Sequence, residues 1–115
     1  MGGTQVIDTK DITWLAGLLE GEGCFRWLRS RHGNGKGTPT IVLAMSDEDV
    51  VKRVADLWAR PVNGPYGPYR PGNLKTYKAI VFGNQAIQWM MTLYVLMGTR
   101  RRNKIQEVVQ KWKNQ

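Results

Sequence analysis

From Thr9 onward, Ile12, Leu15, Leu18 and Leu19 recur at helical spacing, and Asp8 or Thr9 stands where an N-cap belongs. The pattern then shortens to period two. Phe25 and Trp27 alternate with Arg26 and Leu28, which predicts a strand over residues 24–31. A run of glycine, asparagine and histidine at 32–37 is turn chemistry, and 38–45 predicts a returning strand with Ile41 and Leu43 inward. Ser46, Asp47, Glu48 and Asp49 cap and charge a second helix whose stripe is Val50, Val51, Val54, Leu57 and Trp58, stopped by Pro61. Pro65, Pro68 and Pro71 exclude a central strand in the next segment, so a short edge strand is expected over 66–70. A better strand follows over 74–82. Asn84 is placed to cap a third helix carrying Ile87, Trp89, Met90, Leu93, Tyr94 and Met97, with Gly98 at its end. Ile105, Val108, Val109 and Trp112 mark a final helix. The order α-β-β-α-β-β-α-α predicts an α+β protein, and 115 residues predict one domain over the whole chain, 1–115.

Composition narrows the partners. Hydrophobic residues make up 42%, enough for a modest core, and a formal net charge of +8 points to a polyanion, nucleic acid before an anionic membrane surface. The longest apolar stretch, 89–97, is interrupted by Thr92 and is too short to span a bilayer. The last helix has Lys104, Lys111 and Lys113 but too little continuous apolar surface for a membrane-binding helix, so no membrane partner is expected. No secretory signal opens the chain, and Cys24 has no second cysteine to pair with. Together these predict an intracellular, non-secreted protein with Cys24 as a small buried residue. Cysteine and histidine are too scarce for structural zinc. The five tryptophans, Trp14, Trp27, Trp58, Trp89 and Trp112, fall on apolar faces and are expected in the core.

The most specific segment is 14–23, Trp-Leu-Ala-Gly-Leu-Leu-Glu-Gly-Glu-Gly. It reads as an apolar helix ending in Glu20 and Glu22, at the negative end of its own macrodipole, where an acid asks for a compensating cation. Two residues apart, these carboxylates face different sides of a helix, so chemistry needing two acids at one point needs a second copy of the helix. Gly17 and Gly21 lie one turn apart and leave a stripe on which a partner backbone can approach closely.

Residues 15–23, LAGLLEGEG, resemble the LAGLIDADG motif of homing endonucleases at every position, with Glu in place of Asp twice. The element order also matches the single-motif form of that fold, a four-stranded antiparallel saddle-shaped sheet backed by helices, so the resemblance covers nearly the whole chain. It implies that Glu22 binds a divalent cation that directs water onto a DNA phosphate, with the Gly21 carbonyl as a further ligand. Mg²⁺ is the implied ion, with Mn²⁺ as a substitute; hard oxygen ligands suit it, and two ions about 4 Å apart can stabilise attacking and departing oxygens. Glu20 is expected to end the helix and support the junction. Asp is commoner at position 22; Glu is one methylene longer but keeps the ligand type. Family members usually keep a pocket of basic or amide groups near the scissile phosphate. Where one such position is expected, at the end of the second strand, this chain has Ala44-Met45; where another precedes the last helix it has Arg100-Arg101-Arg102. Arg100 first and Arg101 second are the expected transition-state charge stabilisers; a solvated turn or compensation of the preceding helix dipole is the alternative.

The sheet is expected to supply recognition. With Phe25 and Trp27 inward, period two sends Arg26, Leu28, Ser30 and His32 to the other face, joined by Thr38, Thr40 and Val42, by Thr76, Lys78 and Ile80, and by Arg70. Arg26 or Arg70 suits a bidentate guanine contact and Thr76 a base edge or a thymine methyl, while Arg29, Arg31, Lys36 and Lys75 suit phosphates. Trp14, Gly17, Leu18 and Gly21 are the expected dimer interface. The resemblance thus implies a homodimeric, metal-dependent endonuclease of double-stranded DNA, cutting a long, nearly palindromic site with a stagger, of the kind encoded in mobile introns or inteins. The alternative is a protein of the same fold that binds DNA or RNA without cutting it, a maturase or regulator; Ala44-Met45 keeps that option open and Glu22 argues against it.

Overall fold

The computed structural model describes residues 7–29, 36–68 and 70–115. Helix α1 spans Thr9–Glu22 and starts on a capping box: Asp11 N–H donates to Asp8 Oδ1 at 2.9 Å, and Asp8 N–H donates back to Asp11 Oδ2 at 3.4 Å. Strands β1 (Gly23–Arg29) and β2 (Gly37–Met45) follow, then α2 (Glu48–Leu57), β3 (Asn63–Tyr66), β4 (Thr76–Phe82), α3 (Asn84–Leu93), a 3₁₀ turn (Tyr94–Leu96) and α4 (Thr99–Lys113). The strands form one antiparallel sheet in the order β1-β2-β4-β3. Register pairs Phe25 with Ile41 and Ile41 with Val81, which stacks the large apolar residues abreast on one face.

That face is covered by the helices. Leu15, Leu19, Ile41, Leu43, Val51, Val54, Ala79, Val81, Met90 and Leu93 are each 0% exposed and form one core with Phe25, Trp58, Ile105 and Val108. Helix α1 contributes only one stripe to it, Leu15, Ala16 and Leu19. Gly23 closes α1 by donating its N–H to Leu19 O, and a Cβ there would sit 2.8 Å from Leu19 Cδ2, so the sharp entry into β1 needs glycine.

The α-β-β-α-β-β-α-α order and the α+β sheet architecture are present, with several boundaries moved. The edge strand is Asn63–Tyr66, not 66–70. Pro65 falls in the irregular gap between the Asn63–Lys78 and Tyr66–Thr76 pairs, where no ladder N–H is required. Gly67 (φ 74°) and Pro68 end pairing directly after Tyr66, leaving Arg70 on a turn whose carbonyl accepts from Asn73 N–H at 3.1 Å. Strand β4 begins at Thr76; Leu74, expected inside it, is 75% exposed. Asn84 is the first helical residue of α3 rather than its cap, which is Gly83 in the left-handed region at φ 72°. Helix α3 also stops at Leu93, and Met97 reaches the core from beyond the 3₁₀ turn. Two burial expectations are corrected: Cys24 is exposed, and Trp112 is 36% exposed on the outer side of α4. No helix among the described residues is long and apolar enough to cross a membrane.

Candidate active site and nucleic-acid interface

The two carboxylates at the end of α1 have different surroundings. Glu20 accepts a short hydrogen bond from the backbone N–H of Gly98, the N-cap of α4, and Arg101 Nε lies 3.9 Å from Glu20 Oε2. The same Nε donates to the Glu20 backbone carbonyl at 3.1 Å. Helix α4 begins on a glycine with no capping side chain, so Glu20, 78 residues away, supplies both the acceptor and the negative charge that its N-terminus favours. Arg101, whose side chain is 12% exposed, supplies the positive charge that the carbonyl end of α1 favours. One ion pair and its hydrogen bonds therefore tie the end of α1 to the start of α4.

Glu22 is exposed and forms no hydrogen bond or ion pair with a described residue. Its neighbours on α1 are bare: a Cβ built on Gly17 or Gly21 meets nothing within 4 Å, and both glycines are exposed. Trp14 and Leu18 flank them, half-buried, with Arg53 stacked on the Trp14 ring at 3.8 Å and reaching Asp11 at 3.7 Å. Arg100 is exposed and, with Cys24, Arg101, Asn103, Lys104 and Glu107, lines a hollow of about 450 Å³ between α4 and β1. In that hollow Lys104 Nζ donates to Glu107 Oε2 at 2.6 Å, a hydrogen bond and charge that hold the Glu107 carboxyl below the usual glutamate range.

The sheet's outer face carries Cys24, Arg26 and Leu28 from β1, Thr38, Thr40, Val42 and Ala44 from β2, and Thr76, Lys78, Ile80 and Phe82 from β4. Ladder pairs put Arg26 beside Thr40 and Thr40 beside Phe82, Val42 beside Ile80, and Ala44 beside Lys78. Residues 23–46 and 57–106 contain no Asp or Glu, so all four strands lack acids. The nine acids lie instead on α1 and α2, just ahead of them, and at Glu107. On the outer face the strands therefore present Arg26 and Lys78 with no acid among them.

No family profile and no curated protein matches the chain by sequence. Solved structures do match. The homing endonuclease I-CvuI in complex with its target aligns with a TM-score of 0.68 at 15% identity, covering 88% of this chain and 64% of that one. The homing endonuclease I-TnaI gives a TM-score of 0.65 at 15% identity over 86% of this chain and 69% of that one. The group I intron-encoded homing endonuclease I-CeuI complexed with DNA gives 0.63 at 12% identity over 92% and 55%. The chain has the LAGLIDADG homing endonuclease fold. It spans 64% of the length of I-CvuI, whose structures were obtained in the presence of calcium or of magnesium.

Within this LAGLIDADG fold the expected site residues fall into three groups. Arg26, Leu28, Thr38, Val42, Thr76, Lys78 and Ile80 share the outer face, with Lys36 and Lys75 exposed just outside the strands. Thr40 shares the face but is 2% exposed and donates its hydroxyl to Thr38 O at 3.2 Å, so it has no free group to offer a base. Arg70 is exposed on the turn after β3 rather than on a strand, and Ser30, Arg31 and His32 lie outside the described residues. Alternation and register add Cys24, Ala44, Phe82, Asn63 and Tyr66 to the expected outer-face residues. Cys24 and Phe82 follow from extending the same alternation by one step at each end, whereas Tyr66 required the β3 register. Arg60 was also missed; its guanidinium lies 4.8 Å from the Phe82 ring centroid at the rim of the face.

One chain offers few donors for a divalent ion. Among the described residues no three of His, Cys, Asp or Glu converge. One chain offers the unpartnered Glu22 carboxylate and the carbonyl of Gly21, which lies in the last helical turn, where carbonyls lack intrahelical donors. These are hard oxygen donors of the type Mg²⁺ prefers.

Proposed function

We propose that this protein is a homodimeric, sequence-specific endonuclease of double-stranded DNA that depends on a divalent cation. The observation that carries the reading is the contrast at the end of α1, where Glu20 is spent on the junction with α4 and Glu22 stands free beside a bare glycine stripe. Two copies packed through Gly17, Gly21, Trp14 and Leu18 would bring two Glu22 side chains to the dimer axis, one for each DNA strand. Two acid-free sheets would then form a saddle over the major groove on either side.

Within each protomer the chain's own groups have separable tasks. Glu22 and the Gly21 carbonyl hold Mg²⁺, for which Mn²⁺ substitutes. Bound there, the ion supplies Lewis-acid stabilisation of a phosphoryl oxygen and lowers the pKa of water. Arg100 faces the charge that builds on the phosphate, while Arg101 acts as a positioning residue through Glu20. Lys78 pairs across the ladder with Ala44, but its ammonium lies 5.0 Å from the Tyr66 ring centroid on the β3 side, away from the end of β2. Purified protein with Mg²⁺ should cut a defined site in a randomised duplex library, and Glu22→Gln should abolish cutting. Failure to cut any site in Mg²⁺, together with DNA binding in Mg²⁺ that Glu22→Gln leaves unchanged, refutes the proposal.

A second reading is favoured by the exposed Ala44 where a polar group is expected: a maturase or regulator that binds DNA or RNA without cleavage. Binding that persists in EDTA with no nick in Mg²⁺ selects it over the first.

A further inference from the structure

One row across the outer face carries no strong hydrogen-bonding side chain. Cys24 pairs with Val42 and Val42 with Ile80, so these three lie abreast on β1, β2 and β4. On one side of the row stand Ala44 and Lys78; on the other stand Arg26, the buried Thr40 and Phe82. Phe82, 48% exposed in the neighbouring row, widens the band on β4. The result is an accessible apolar strip through the middle of a face that carries Arg26 and Lys78 on either side of it, with Arg70 and Lys75 exposed beyond the strand ends and no acid on any strand.

The charge selects the occupant. A protein partner pressing an apolar patch here would need an acidic rim of its own, whereas duplex DNA brings phosphates to both margins as a matter of course. Dimensions agree: three strands span about 10 Å, against a major groove about 12 Å wide. Successive outer-face residues along a strand advance about 6.8 Å, two base-pair steps. In that groove cytosine, guanine and adenine present only polar edges, and thymine alone adds a methyl group at C5.

Resting on the reading of this face as the DNA interface, we propose that Cys24, Val42 and Ile80 select thymine through its C5-methyl group at the base steps beneath their row in each half-site. Burying one methyl is worth about four-fold in affinity.

The test uses the full chain and a randomised duplex library, with selection in EDTA so that the DNA stays uncut. Selected duplexes are then resynthesised with deoxyuridine, which lacks only the methyl, at each thymine in turn. At one or two positions per half-site the wild-type protein should lose about four-fold in affinity. The double variant Val42→Ala with Ile80→Ala should bind both duplexes alike. Equal affinity for thymine and deoxyuridine at every position overturns the inference while leaving DNA binding intact, and so does a thymine preference undiminished in the double variant. Enrichment of no duplex at all overturns the DNA-binding reading itself, and this inference with it.

Discussion

Phe25, Ile41, Leu43, Ala79 and Val81 turn from the sheet into the helices and are 0 to 2% exposed, while their immediate chain neighbours Cys24, Arg26, Ala44 and Phe82 face away and stay accessible. The same strands thus build two surfaces of different purpose. On the inner face, size and shape are constrained by contact with α1 through α4. On the outer face only Thr40 is buried and the other side chains are half-buried or exposed, so packing within the protomer constrains them less. Substitutions on the first should be read by unfolding, and substitutions on the second by binding.

The largest separation is expected at adjacent positions in β1. Phe25→Ala should cost about 3–5 kcal/mol of folding stability in denaturant titrations. Arg26→Ala should stay within about 0.5 kcal/mol of the wild type in the same titration. In DNA binding, Arg26→Ala should reduce the slope of log affinity against log salt by about 0.9 if it contacts a phosphate, and change base preference instead if it contacts guanine. Equal stability losses at the two positions would erase the distinction between the faces.

Next comes a pair of glycines. A Cβ on Gly37 would lie 2.0 Å from Trp27 Nε1, so Gly37→Ala should cost about 1–3 kcal/mol by displacing the indole. Gly17→Ala meets nothing within 4 Å and should leave the protomer as stable or raise its stability by up to about 1 kcal/mol. Its effect should show instead as weakened self-association in sedimentation, because the stripe that admits a second helix is narrowed.

At the end of α1 the expected difference is smaller. Glu20→Gln keeps an acceptor for Gly98 N–H but loses the charge facing Arg101; with the Glu20 side chain 41% exposed, about 1 kcal/mol should be lost. Glu22→Gln, with no partner to lose, should leave the unfolding midpoint unchanged. The smallest effect belongs to Glu107. Lys104 holds its pKa below the unfolded value, so the unfolded chain takes up the proton first as pH falls. The stabilisation is present above the unfolded pKa and lost as pH drops through the lowered folded one. Lys104→Met should therefore melt slightly below wild type at neutral pH and coincide with it in strong acid; a gap that persists in acid contradicts this assignment.

Legibility in the sequence followed periodicity and failed where tertiary contacts decide. Alternation through Phe25, Trp27, Ile41 and Leu43 located β1, β2 and the composition of both faces, because burial on one side forces period two. The segment 61–75 gave no such pattern: three prolines and several glycines allow more than one short strand, and only pairing with β4 selects Asn63–Tyr66. The pull of an acid at the end of α1 on a compensating cation was readable from the helix dipole, but its identity, Arg101, lies 81 residues away. Asn84 looked like a cap because its side chain suits one; Gly83 takes the position because the chain there needs a positive φ. Cys24 was read as buried from its residue type, although the alternation that put Phe25 inside already put it outside.

The central claim, that two free Glu22 carboxylates meet across a dimer axis to cut two strands, is tested most directly by nicking with mixed dimers of wild type and Glu22→Gln. On a selected duplex labelled on both strands, in Mg²⁺, the mixed species should cut one strand per duplex, wild type both, and the variant neither. Cutting of both strands by the mixed species, or cleavage by a species sedimenting as a single 13.1 kDa chain, would contradict it.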